Sequence, residues 1–488
     1  MPTMRLRAAL SVALVGLSLA VVVPTATAVP DPPSHEGAGV PQPTIALPPE
    51  GTYGHPLWDS WFDLGEYGYE EQEYFVSGTA TAGAATAPYT TRIIVFRPTA
   101  ASGQFNGTVL LDWVNVTAQF ENAVDSIEAH EFLLREGYAW VHVSAQVAGL
   151  DTPLVPNPLV PKKWDPARYA AINHPGDQYA FDMFSQIAKA VKDGGLAGPD
   201  PMGSLDVDYV LAAGQSQSAS KLTEYVNSHQ ETADVIDGFL IHGTFGGDGP
   251  AASDVPVIHL ESDADVALGA TPHDNIALWE VAGAAHSDYW IGYHSVFGNG
   301  PRSQLHAAKV SRAEKERISI EAGNYGEQVH PLLAACTLAG AAMPMHYVTS
   351  SAIAHLDKWV RGGATPDSGV KINTDRLGSV LAGQFGNTQG GIRLAPMEVP
   401  VASYQSTVCQ LGGKTIPFSE VQLLAMYGSH QSYYAKFKAA VAQNVTDGWL
   451  LPDDATDLLK RACDSRNRFG TPQATAVSYC LGYAPTLG

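Results

Sequence analysis

The chain has 488 residues, with 28 basic and 49 acidic side chains and a net charge of −21 at pH 7. That length suits two or three average domains, although α/β folds can use much of it as one unit. A surface this acidic repels nucleic acid and anionic membranes, so neither is expected as a partner.

The N-terminus reads as a targeting segment. Arg5 and Arg7 precede an apolar run from Ala8 to Val23, and Ala26-Thr27-Ala28 is a small-x-small cleavage site. Residues 1–28 therefore read as a secretory signal peptide, removed to give a secreted protein. The apolar run is too short to anchor the chain, and no later stretch is long and apolar enough to span a bilayer. No integral membrane association is expected.

Residues 29–60 are rich in Pro and Gly and read as an extended N-terminal arm. Beyond them, period-two patterns predict strands over Tyr74 to Thr81 and Thr90 to Arg97, joined by a Gly/Ala/Pro turn. Thr108 to Val114 reads as a more buried strand, and Glu121 to Gly137 has helical spacing. Tyr138 to Ser144 is the next strand, and Pro153 to Pro166 is a proline-rich loop. A helix is expected over Tyr179 to Val191, a strand over Tyr209 to Ala213, and a helix over Ser218 to Ser228. Strands are expected over Ile236 to His242, Val255 to Leu260 and Ile276 to Val281.

Strands alternating with helices predict an α/β fold with a doubly wound, mainly parallel sheet. The leading hairpin predicts an antiparallel edge. The core is expected over residues 61–287. After it the pattern changes: Tyr289 to Asn299 is aromatic and glycine-rich, and Gly383 to Gly391 is a loop. Helices are expected over Ser351 to Val360, Ser419 to Tyr427, Tyr433 to Ala442 and Asp453 to Ala462. Residues 288–488 read as a mostly helical cap or accessory region that completes the fold.

That region holds all four cysteines, Cys336, Cys409, Cys463 and Cys480. An even count in an exported chain predicts two disulfides, with the pairing left open. No Cys-x-x-Cys occurs, so zinc is not expected. Asn106, Asn115 and Asn444 begin glycosylation triplets, meaningful only in a host that uses them.

The chemistry centres on Val210 to Ser220. An apolar run ends in Gly214-Gln215-Ser216-Gln217-Ser218, and an amphipathic stretch follows. A strand, a sharp turn and a helix lift the Ser216 hydroxyl above the sheet edge and leave the next N–H free to bind an oxyanion. Gly214 suits the close approach in that turn. Acyl transfer also needs a base and an acid to orient it, in the chain order Ser, acid, His. His286 follows a strand in Val281-Ala-Gly-Ala-Ala-His286 and is the preferred base. His242 and His259 lie within strand patterns and read as packed residues, while His174 is a loop residue that could line a pocket. The acid lies in Glu261-Ser262-Asp263-Ala264-Asp265. Asp265 is preferred, Asp263 stays open, and Glu261 belongs to the strand end. These acids do not fill out a roughly twelve-residue calcium loop. Gln217 N–H and a donor from the loop after Val114, Asn115 or Val116, would form the oxyanion hole.

Several stretches resemble the alpha/beta hydrolase domain proteins: Leu111-Asp-Trp-Val-Asn-Val116, Arg168-Tyr169, His174-Pro-Gly-Asp177, Gly214-Gln-Ser-Gln-Ser-Ala219 and Trp279-Glu-Val-Ala-Gly-Ala-Ala-His286. Trp359-Val-Arg-Gly-Gly363 and Pro417-Phe-Ser419 also fit, so the likeness covers most of the mature chain. It implies the α/β-hydrolase fold and a Ser–Asp–His triad, and little about substrate. The family carries Glu at the position of Asp263, with Asp at 265.

The reading is a secreted serine hydrolase that cleaves a small-molecule or lipid-like carboxylic ester through Ser216, His286 and Asp265, with no cofactor and no metal. An acyltransferase would use the same residues. A retired hydrolase scaffold that only binds is the non-enzyme alternative. Trp290, Tyr293 and Phe297 could line a substrate pocket or pack the cap onto the core.

Overall fold

The computed structural model describes residues 37, 39–151, 159–266, 269–299, 309–322, 340–409, 411–472 and 477–480. The expected signal peptide and Cys336 lie outside the described residues, as does the Phe297 side chain.

Among the described residues, nine strands form one sheet: β1 (Thr44–Ala46), β2 (Tyr69–Ala82), β3 (Ala85–Pro98), β4 (Thr108–Trp113), β5 (Ala139–Val143), β6 (Tyr209–Gln215), β7 (Gly238–His242), β8 (Val257–Ser262) and β9 (Ile276–Val281). Their order is β1-β2-β3-β5-β4-β6-β7-β8-β9. The strands from β5 to β9 are parallel, while β1, β2 and β3 add an antiparallel edge. Every residue of β4, β6, β7, β8 and β9 is buried. Parallel strands covered on both faces need such apolar runs.

Side chains alternate across the sheet. Val109, Leu111, Val210 and Ala212 face helices α1 (Ala180–Asp193) and α2 (Gln217–Ser228), through Phe184, Leu222 and Tyr225. Leu110, Leu211, Leu240 and Ile258 face the opposite layer, where Phe132 and Leu133 of the helix Val124–Arg135 meet Val348, Ile353 and Leu356 of the helix Met345–Val360. One covering helix of the sheet thus comes from the C-terminal region. Ile392 also forms a parallel bridge with Val281, extending the edge beyond β9.

The aromatic, glycine-rich stretch after the sheet is a helix, Tyr289–Asn299. Tyr289, Trp290, Ile291, Tyr293 and His294 are all buried. A run with every residue from Tyr289 to His294 buried shows no polar face to mark it in sequence. Trp290 stacks on His346 with ring centroids 3.9 Å apart. Trp290 also donates its indole N–H to the Ile127 carbonyl at 3.4 Å, and Tyr293 clusters with Ile318 and Trp61, so both pack this helix onto the core.

The N-terminal arm is pinned by a buried ion network. Arg168 bonds Glu73 at 2.7 Å and reaches the carbonyls of Pro49 and Glu50, at 2.9 and 3.1 Å. Arg92 bonds the same Glu73 at 2.9 Å and also pairs with Glu121, on the loop after β4. At all three glycosylation triplets the amide is used internally: Asn106 donates to Glu136 O at 3.0 Å, Asn115 donates to Gln215 O, and Asn444 accepts from Ala395 N.

The last helices pack on one another through Tyr433, Phe437, Leu458 and Leu459. Cys463 and Cys480 form a disulfide across 17 positions, Cys409 is also disulfide-bonded, and no described cysteine is free. Such a loop is worth about 3 kcal/mol through the unfolded chain. Replacing Cys463 and Cys480 together by serine is expected to cost that much in denaturant unfolding. Alkylation of the native protein without reductant is expected to label no cysteine; four labelled thiols in intact mass would contradict both bridges.

Candidate active site

Strand β6 ends at Gln215 and helix α2 begins at Gln217. Ser216 between them has φ 64° and ψ −119°, a strained conformation for a residue with a side chain. A Cβ on Gly214 would sit 3.0 Å from Ser218 Cβ and 3.0 Å from Leu222 Cδ1. The turn therefore needs a glycine two positions before the serine and a small residue two positions after it. Ser216 N–H is held by the His242 carbonyl at 2.9 Å.

The structure brings together the three preferred residues. Ser216 Oγ lies 2.9 Å from His286 Nε2, and His286 Nδ1 lies 2.6 Å from Asp265 Oδ1. Asp265 and His286 are buried while Ser216 is half-buried. Asp265 is steadied by Ser262, whose hydroxyl donates to Oδ2. Gln215 Nε2 donates to His286 O at 2.9 Å, fixing the backbone that carries the imidazole.

Asp263 points elsewhere. Its Oδ2 accepts from Ser406 Oγ at 2.8 Å and from Thr388 Oγ1. Burial pushes its pKa up to about 6. Glu261 accepts from Thr244 N–H at 3.0 Å and pairs with His259. His242 bonds Asp125 at 2.9 Å in the layer beneath, where desolvation opposes its charge but Glu128 and Asp125 raise its pKa to about 9. His174 Nε2 meets the Ala145 carbonyl at 2.9 Å.

The structure corrects one expected donor. Asn115 N–H already donates to Asn122 O at 2.8 Å, in a bridge that closes the loop after β4. A donor spent on a carbonyl cannot also hold an oxyanion. Gln217 N–H is the first of helix α2 and has no intrahelical acceptor. Its side chain is braced by Gln146 at 2.8 Å. Beside this loop, Val114, Trp58, Trp61 and Trp140 border a cavity of about 80 Å³.

The loop Gly243 to Gly249 gave no signal in the sequence, yet it wraps the acid. Gly246 N–H donates to Asp265 O at 3.1 Å. Phe245 is 60% exposed with its ring centroid 5.6 Å from that of His286, placing an unburied aromatic at the rim. Gly243 has φ +65°, and a Cβ there would lie 3.3 Å from Asp265 Oδ2 and 3.4 Å from His286 Nδ1. Gly243→Ala is expected to lower kcat on any substrate roughly 10²-fold, the scale of an ångström misplacement in a catalytic group. Unchanged turnover in that variant would mean the acid and imidazole tolerate displacement.

A family model described as alpha/beta hydrolase domain matches residues 40–460. No curated protein matches the sequence. Among solved structures, XC6422 from Xanthomonas campestris, described as an a/b serine hydrolase without lid, is 12% identical. That match covers 48% of this chain and 96% of the other, with a TM-score of 0.27. A cold-adapted esterase from an Arctic intertidal metagenomic library is 16% identical over 43% of this chain and 84% of its own, with a TM-score of 0.25. Est1E from Butyrivibrio proteoclasticus is 10% identical over 47% and 98%, also with a TM-score of 0.25.

Proposed function

The chain belongs to the alpha/beta hydrolase domain family, and from that premise we propose that it is a serine hydrolase cleaving carboxylic esters through Ser216, His286 and Asp265. The observation that carries this reading is the unbroken chain of contacts, Ser216 Oγ to His286 Nε2 at 2.9 Å and His286 Nδ1 to Asp265 at 2.6 Å.

The steps follow from that order. Asp265 accepts the Nδ1 proton of His286, so Nε2 carries the lone pair facing Ser216. Ser216 Oγ attacks the ester carbonyl as its proton passes to Nε2. The negative oxygen is held by Gln217 N–H and, with Asn115 spent, by Val116 N–H. His286 then gives its proton to the departing alcohol, leaving an acyl group on Ser216. Water enters, His286 takes its proton, and the acid is released. Esters are favoured over amides because an alkoxide leaves more readily than an amide anion. Export is part of this reading, supported by the signal pattern of residues 1–28.

A fluorophosphonate probe tests the proposal directly. The full chain is expected to carry the label on the peptide containing Ser216, and pre-incubation with a cleaved ester should protect it. A chain that stays unlabelled, or is labelled on another serine, would remove the basis for the mechanism. Edman sequencing of exported protein is expected to begin at Val29.

A further inference from the structure

Two open grooves, of about 580 and 520 Å³, lie on the C-terminal region and share Arg393 and Glu398 as common walls. Each falls within the size range of ligand sites, ~300–1,000 Å³. Neither contains a residue of the Ser216 site.

The first groove presents the amides Asn373, Gln384 and Gln389 beside the rings of Phe385 and Tyr427. The second presents Gln443 and the ring of Trp449. Phe385 is 39% exposed on a backbone with φ 65°. Its ring packs on Phe418 with centroids 5.2 Å apart and keeps its outer part on the groove wall, on a left-handed backbone that is costly for a residue with a side chain. Among the described residues of both linings Arg393 is the sole cation, and Glu398 pairs with it at 2.5 Å.

That combination selects a class of ligand. A primary amide offers a donor and an acceptor side by side, matching adjacent hydroxyls. An aromatic face packs on the C–H face of a saturated ring, and its polar rim allows neighbouring hydroxyls to stay solvated. A neutralised cation and a net charge of −21 disfavour anions. Two grooves with shared walls suit an extended chain better than a single ring. We propose that they form one binding site for an uncharged polysaccharide chain.

The site is tied to the catalytic loop. Thr388, in the lining of the first groove, donates to Asp263, two positions before Asp265. Thr388 thus joins the groove wall to the loop that carries the acid. Resting on the hydrolase reading above, the ester cleaved is one borne by such a glycan.

Affinity electrophoresis of the full chain tests the binding site without using the chemistry. Gels containing arabinoxylan, hydroxyethylcellulose or dextran are compared with a gel containing alginate, a polyanion. At least one neutral polymer is expected to retard the protein, and alginate is not. The double variant Gln384→Ala with Phe385→Asn keeps a residue that tolerates the left-handed backbone; it should weaken retardation at least tenfold. Gln443→Ala, in the second groove, should weaken it independently. Hydrolysis of 4-nitrophenyl acetate should be unchanged in both. No retardation by any neutral polymer, equal retardation of wild type and both variants, or stronger retardation by alginate would overturn the site. If wild type leaves 4-nitrophenyl acetate intact, the hydrolase reading fails while the gel result still decides the binding site.

Discussion

Ser216→Ala is expected to lower kcat by about 10⁶-fold on the best ester found, the scale seen when a serine nucleophile is removed from such a site. The expectation rests on geometry. Ser216 Oγ meets His286 Nε2 at 2.9 Å and sits on a backbone strained to φ 64°. That strain presents the hydroxyl at the sheet edge and has no other evident use. The fold should survive, because Ser216 N–H stays on His242 O and only one hydroxyl is lost, worth about 1 kcal/mol. Residual turnover should come from the oxyanion donors and from binding alone. Burst kinetics check the covalent step: wild type should release the first equivalent of alcohol rapidly and the variant should not. Wild-type activity in the variant would remove Ser216 from the mechanism.

The strands of the parallel sheet and the serine turn were legible because their apolar runs and turn residues are local, although the strands themselves pair across long stretches of chain. Val210 to Ala213 reads as a strand, and Gly214, Ser216 and Ser218 carry the close approaches that the turn requires. The antiparallel edge was legible from the alternation in Tyr74 to Thr81 and Thr90 to Arg97. The helix Met345–Val360 was legible only over its final residues, since its first turns are buried on all sides and show no amphipathic face. What the sequence hid depends on partners distant along the chain. Asn115 loses its role as an oxyanion donor through a carbonyl seven positions on, Asn122. Gly243 matters because Asp265 and His286 close over it. Asp263 and Asp265 stand in the same loop with the same chemistry, and only tertiary neighbours tell them apart.

Asp265→Asn is expected to cut turnover by about 10⁴-fold, the scale found when the orienting acid is replaced by its amide and the wrong tautomer results. Ser262 donates its hydroxyl to Asp265 Oδ2, so an amide there would keep its oxygen toward Ser262 and turn its NH₂ toward His286. His286 Nδ1 would then accept rather than donate. The ring proton would move to Nε2, where it blocks transfer from Ser216. Asp263→Asn should leave turnover within a few-fold of wild type, because an amide oxygen can still accept from Thr388 and Ser406. Its signature lies in stability instead. Burial raises the Asp263 pKa from 3.8 to about 6, so the folded state keeps its proton longer than the unfolded chain. The stability this lends is full below pH ~4 and lost as pH rises through ~6, roughly 3 kcal/mol in all. Denaturant unfolding between pH 4 and pH 6 should show that decline in wild type and a shallower one in Asp263→Asn. If Asp263→Asn loses turnover and Asp265→Asn keeps it, the two carboxylates exchange roles, and the 2.6 Å contact of Asp265 with His286 is not the one that orients the base.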